Sequence, residues 1–184
     1  GLKGEYTAAV LHANKDKIII YWHPELDELV TNRLSQAVLD WLQYFGMADG
    51  VATSEAGSQG YRLTVRNPDV SHDLDLTNVG VGVSQVLPIL VMGLIADEGS
   101  TLLYEQPEIH LHPATQARIA DFFLGLIRTE KQCIIETHSE HFVNRVRLRI
   151  AQNEDPADPV GHPGNVQIMF AEKRDGSTQY REVE

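Results

Sequence analysis

Three groups of residues in this sequence have the types and spacing to do chemistry. The first is Glu105-Gln106-Pro107-Glu108, followed at once by His110-Leu111-His112, at the end of the short apolar run 101–104. A carboxylate held at such a point is a natural ligand for a hard cation such as magnesium. The second is Thr137-His138-Ser139, with His141 close behind, at the end of another apolar run, 132–136. The third is Gly80-Val81-Gly82-Val83-Ser84-Gln85, which leads into a stretch of helical spacing. Glycines without side chains, free backbone N–H groups at a helix start and a serine hydroxyl suit an anion. Taken alone, the glycines read equally as a tight strand-to-helix turn. His110, His112, His138 and His141, with Glu108, also supply His-x-His and His-x-x-His spacings, the donor types of a metal-dependent hydrolase.

Regular elements must carry these groups. Residues 101–105 follow the turn signal Gly99-Ser100, are too few for a helix and too apolar for an exposed loop, so they read as a buried strand. Pro113 can open the next helix, to about residue 128, with Ala120, Phe123, Leu124 and Ile127 inward. Residues 132–137 read as a second apolar strand. A helix then runs to about Ile150, with Arg145, Arg147 and Arg149 expected in solvent. Val83, Val86, Leu87, Leu90, Val91, Leu94 and Ile95 form a strong helical stripe, which requires Pro88 in or near the first turn. Strand, helix, strand, helix predicts a parallel sheet with its site on one edge, where ligands of open α/β sheets bind.

On the N-terminal side, residues 17–22 read as a strand. Pro24 is expected to open a helix that packs Leu26, Val30, Leu34, Ala37, Val38, Trp41, Leu42 and Phe45 and stops at Gly46. Residues 48–60 read as a loop. Residues 61–66 and 70–76 read as a hairpin about the turn Asn67-Pro68-Asp69, with Arg62 and Arg66 on a solvated face. On the C-terminal side, 152–164 reads as a surface loop and 165–170 as a strand. Asp175-Gly176 carries a hairpin signal and 178–183 returns.

With 184 residues the chain is long enough for one domain with a proper core, and no second domain is expected. Its formal net charge of −11 argues against a broadly basic nucleic-acid surface, though not against a local patch. No apolar run is long enough to span a membrane. The single Cys133 excludes an internal disulfide framework, reads as a small core residue and fits a reducing, cytoplasmic setting.

The three groups also stand in a telling order. Ser84 to Glu105 is 21 positions and Glu105 to His138 is 33. This order, with Glu-x-Pro-Glu-x-His-Leu-His-Pro followed by Thr-His-Ser, resembles the ABC-type, AAA-like branch of the P-loop ATPases, the group that includes SMC, RecF and OLD-like proteins. The resemblance covers about residues 77–145. It implies an α/β, P-loop NTPase-like fold: a mostly parallel sheet with flanking helices, peripheral antiparallel hairpins and an incomplete N-terminal half. By the same resemblance Gly80, Gly82, Ser84 and Gln85 look like the signature motif, which caps the γ-phosphate of ATP held by the other subunit of a dimer. Glu105 looks like the Walker B acid that holds magnesium through water. Gln106 stands where the family usually has the water-orienting glutamate, and His138 looks like the switch histidine.

Two departures matter. Glu105 replaces an aspartate. Gln106 replaces a glutamate, and an amide cannot take up a proton. It could still orient water, as a glutamine does in some GTPases, or Glu108 could serve as base. No phosphate-loop motif Gly-x-x-x-x-Gly-Lys-Ser/Thr occurs, and the chain begins without methionine. The expectation is therefore that residues 1–184 are the C-terminal part of one ATPase domain whose Walker A half lies elsewhere. The resemblance implies ATP and Mg2+ as ligands, a homodimer through the signature motif, and associations with DNA repair and phage defence. The competing expectations are a catalytically degenerate, nucleotide-gated module for dimerisation or partner binding, and the histidine-cluster hydrolase.

Overall fold

Helix α4 (Pro113–Ile127) is the element on which the others are assembled. Residues 119 to 126 are all buried, including Ile119, Phe122, Phe123 and Leu126, so the helix is apolar nearly all round, as a central helix must be. His112 caps its start, its Nδ1 accepting from the Ala114 N–H at 3.3 Å, and Pro113 takes the first helical position. Both faces meet neighbours at close range. A Cβ on Gly125 would lie 3.1 Å from Trp22 Cβ, and one on Gly93 would lie 2.8 Å from Phe122 Cζ. The computed structural model that gives these relations describes residues 6–57, 60–67, 73–76, 79–155, 157–162 and 164–183.

Around α4 the chain runs α1 (Thr7–Asn14), β1 (Ile18–His23), β2 (Glu28–Arg33), α2 (Leu34–Tyr44), β3 (Gly50–Glu55), β4 (Tyr61–Arg66), β5 (Asp73–Asp75), α3 (Val81–Ile95) and β6 (Thr101–Glu105). After α4 come β7 (Gln132–Glu136), α5 (Glu140–Gln152), β8 (Met169–Arg174) and β9 (Ser177–Glu182). Strands β6 and β7 pair in parallel across the α4 crossover, with Leu103 opposite Ile134 and Glu105 opposite Glu136. The other sheets, β1–β2, β3–β4–β5 and β8–β9, are antiparallel. The core joins α2, α3, α4 and α5 through Trp41, Leu87, Leu90, Phe122, Phe123 and Phe142. Trp41 meets Phe122 edge-on at 5.2 Å, an arrangement aromatic rings favour.

Several expectations are corrected. The helix from Pro24 begins only at Leu34, because residues 28–33 form β2 and fold back on β1 with Tyr21 opposite Val30. The turn is built by His23, whose Nδ1 accepts from the N–H of Glu25 and of Leu26, and by Asp27 at φ 57°. The four-residue spacing of Leu26, Val30 and Leu34 is ambiguous; strand pairing decides it. The expected loop 48–60 contains β3, whose Val51 lies opposite Val65. Pro88 lies inside α3, about two turns in, not near its start. Lacking an N–H, it leaves the Ser84 carbonyl without its helical partner. The strand expected at 165–170 starts at Met169, because the Asp175-Gly176 turn, with φ of 49° and 81°, sets Arg174 opposite Ser177 and fixes the register backwards from there. Part of the expected 67–69 turn and of strand 70–76 lies outside the described residues; within them, β5 pairs with β4. Strand β6 is not buried on both sides. Tyr104 packs on Phe123 at 4.8 Å, while Leu103 on the opposite face is 70% exposed.

Candidate functional site at the β6–β7 edge

Parallel pairing brings the ends of β6 and β7 level. The Gln106 N–H donates to the Glu136 carbonyl at 2.8 Å, continuing the ladder one residue past β6. There the chain turns sharply, with Gln106 at φ 45° and His110 at φ 62°. Left-handed conformations at non-glycine residues cost about 1–3 kcal/mol and collect at functional sites. The turn closes on itself as the N–H of Ile109 donates to the Gln106 carbonyl and that of Leu111 to the Glu108 carbonyl, each at 3.1 Å.

Glu108 joins this turn to the one after β7. It is buried, and its Oε1 accepts from Thr137 Oγ1 at 2.6 Å and from the His138 N–H at 3.0 Å. A carboxylate so enclosed is a strap between two loops. Its expected use as a stand-in base does not fit this position, and its Oε2 is buried with no hydrogen-bonding protein group. A second strap runs through Gln116, which donates to the Leu111 carbonyl at 3.0 Å and accepts from Ser139 Oγ at 2.7 Å. Ser139 Oγ in turn accepts from the Phe142 N–H at 3.1 Å, which caps α5.

What remains open to solvent is Glu105, the Gln106 amide, His138 and Glu136. Gln106 Nε2 donates to Glu136 Oε1 at 3.4 Å, and His138 Nε2 faces the same oxygen at 3.2 Å. Sequence alone does not single out Glu136, which simply ends an apolar run. The available signal was its place one residue before Thr137, on a strand whose partner ends in Glu105. Gly80 caps α3, Ser84 Oγ donates to the Val81 carbonyl at 2.9 Å, and Gln85 is half-buried in the first turn. Gly82 ties this turn to the first group, since a Cβ there would lie 3.4 Å from Leu111 Cδ2.

The donor set discriminates between metals. Glu105 and Glu136 offer exposed oxygens on one face of the sheet, which fits magnesium held by one or two carboxylates, waters and substrate phosphates. The histidine-cluster hydrolase draws no support from this arrangement. Among the described residues no three His, Cys, Asp or Glu side chains gather into a metal-holding group. His112 is spent on capping α4, and His110 and His141 are exposed.

Beneath the site, Asp121 fixes α5 against α4 and α2. It accepts from Arg145 Nη2 at 2.9 Å, Arg149 Nε at 2.7 Å and Tyr44 Oη at 2.6 Å. Arg145 and Arg149, expected in solvent, are therefore internal anchors. Burial would raise the Asp121 carboxyl pKa, but the bonds from Arg145, Arg149 and Tyr44 outweigh it and hold the carboxyl below its ordinary range. Burial also pushes the Cys133 thiol up to about 12, which fits an inert residue.

Comparison with known proteins adds the following. The family described as the AAA ATPase domain matches residues 12–143. No curated protein matches. Among solved structures, one from work on ATP-driven dimerisation and DNA-stimulated activation of SMC ATPases superposes with TM-score 0.56 at 14% identity, over 82% of this chain and 83% of that one. A Smc head bound to the C-terminal winged-helix domain of ScpA gives TM-score 0.58 at 13% identity, over 82% and 42%. A Smc head with an extended coiled coil, bound to the C-terminal domain of ScpA derived from Pyrococcus furiosus, gives 0.57 at 11%, over 82% and 34%. At these identities the likeness concerns the fold, which is that of the P-loop NTPase-like ATPase heads.

Proposed function

The chain belongs to the AAA ATPase domain family, and from that premise we propose that it is the C-terminal part of an ATPase domain that binds and hydrolyses Mg-ATP within a dimer. The observation that carries the reading is the meeting of Glu105, Gln106 and His138 at one edge of β6–β7, with Gln106 and His138 sharing Glu136. Glu105 is the proposed magnesium ligand through water, and the metal would neutralise charge on the phosphates. Gln106 orients the attacking water, and His138 faces the γ-phosphate. Gly80, Gly82, Ser84 and Gln85, at the start of α3, cap the nucleotide held by the partner subunit. Glu108 acts through others, by fixing the loop that carries His138. As an amide cannot take the proton from water, that proton leaves with the phosphate product as the bond from phosphorus to ADP breaks.

The Walker A half belongs, in this reading, to the rest of the protein. Leu103 and Ile134, 70% and 54% exposed on the uncovered face of a parallel pair, support this, because parallel sheets are normally covered on both faces. Among the described residues no helix is long and apolar enough to cross a membrane. A role in DNA repair or phage defence rests on family association alone. The degenerate-module reading is favoured by one residue, Gln106.

The test is steady-state ATP hydrolysis with magnesium by the protein that joins this chain to its phosphate-loop half. The expected outcome is turnover that disappears in Glu105→Ala. Tight Mg-ATP binding without turnover would support the nucleotide-gated module, and no binding would refute the ATPase.

A further inference from the structure

We infer that Glu136 is a positioning residue of the hydrolysis site, which fixes the Gln106 amide in the orientation that suits an attacking water. The inference rests on the ATPase reading above. A primary amide has two unlike ends, an NH2 that only donates and an oxygen that only accepts. To orient water as a hydrogen-bond acceptor, Gln106 must present its oxygen. Nothing in the backbone turn at Gln106 decides which end faces outward. Glu136 decides it, because its Oε1 accepts from Gln106 Nε2 at 3.4 Å and a carboxylate cannot donate in return. The reverse orientation would set amide oxygen against carboxylate oxygen.

The arrangement is built by pairing rather than by chance of side-chain reach. Glu136 is the last residue of β7, its carbonyl already receives the Gln106 N–H, and its register partner is Glu105 on the same face. The same Oε1 faces His138 Nε2 at 3.2 Å, so a single carboxylate touches both Gln106 and His138. Its side chain is 51% exposed. Glu108, the acid inside the turn, has no such reach, being buried and bound to Thr137 and His138. Gln106 is thus paired with an acid on the adjacent strand.

The test compares parent, Glu136→Ala, Glu136→Gln and the exchange pair Gln106→Glu/Glu136→Gln, in the protein that includes the phosphate-loop half, measuring kcat and Mg-ATP affinity separately. Glu136→Ala is expected to lower kcat about tenfold, the scale of one lost hydrogen bond, with affinity unchanged. Glu136→Gln keeps an acceptor for Gln106 Nε2 but adds a donor, so it no longer fixes the amide and is expected to recover only part of that loss. The exchanged pair retains an amide-to-carboxylate bond with the roles reversed, and is expected to be at least as fast as the parent. Gln106→Glu alone, with two carboxylates facing, is expected to be slower than the exchanged pair. Parental kcat in Glu136→Ala would overturn the inference, as would equal losses of kcat and affinity in both Glu136 variants. A parent that binds Mg-ATP but does not turn over overturns the inference, because Gln106 then orients no productive water. A parent that binds no Mg-ATP refutes the ATPase reading itself, and the inference falls with it.

Discussion

At Glu108 the difference between residue type and residue role is plain. A carboxylate next to a histidine-rich turn has the chemistry of a base, yet burial and two donors make it a fastener. Glu108→Ala should cost about 1–3 kcal/mol, because the part-buried Thr137 hydroxyl and His138 N–H lose their acceptor. Urea unfolding checks this, and an unchanged midpoint would remove the strap from the account. Asp121 makes a prediction about pH. Its folded pKa is held below the unfolded value, so its stabilisation is fully present above the unfolded value and lost as pH falls through the folded one. Stability should therefore drop below about pH 4, and Asp121→Asn should flatten that part of the profile. The same variant should cost roughly 3 kcal/mol at neutral pH, since it strands Arg145 and Arg149.

Elements are held at distances that leave little slack. Gly93 on α3 faces Phe122 and Leu126 of α4, and a Cβ there would approach them to 2.8 and 2.9 Å. Gly93→Ala adds helix propensity yet should destabilise by about 1–3 kcal/mol, because the ring tip it meets is buried on every side. Thermal unfolding gives the sign directly; a rise in midpoint would mean that α3 and α4 can shift apart. The salt bridges of β4 with β5, Arg62–Asp75 at 3.4 Å and Arg66–Asp73 at 3.2 Å, sit on exposed side chains and add little. That sheet is held instead by Leu63 and Val65, which are buried.

In the molecule as a whole, the outer face of the β6–β7 pair is left uncovered by the described residues. Leu103 and Ile134 lie side by side there, and on the separate β1–β2 sheet Ile18 and Ile20 are 61% and 53% exposed. Exposed apolar faces of this kind mark interaction surfaces. The 184-residue chain by itself should bind an apolar fluorescent dye, and Leu103→Lys should reduce that binding. Joined to the phosphate-loop half, the protein should bind far less. Equal dye binding by the isolated chain and by the joined protein would mean that the face is not where the two halves meet.

Much of this was legible in the sequence. The apolar runs at 101–105 and 132–136, the stripe from Val83 to Ile95 and the helix behind Pro113 are local signals, and each forms the element its period requires. Chain order alone then put Glu105, Gln106 and His138 at strand ends, where a parallel sheet collects its ligands. Other features needed the tertiary structure. The spacing of Leu26, Val30 and Leu34 fits a helix, and only the pairing of Val30 with Tyr21 makes residues 28–33 a strand. Glu108 and Glu136 are both acids beside polar turns; one is buried and the other exposed because pleat and loop aim them in opposite senses. Arg145 and Arg149 looked solvated until α4 delivered Asp121 beneath them. Local sequence sets period and punctuation, whereas the partner of a side chain is chosen by segments far along the chain that arrive only when the core closes.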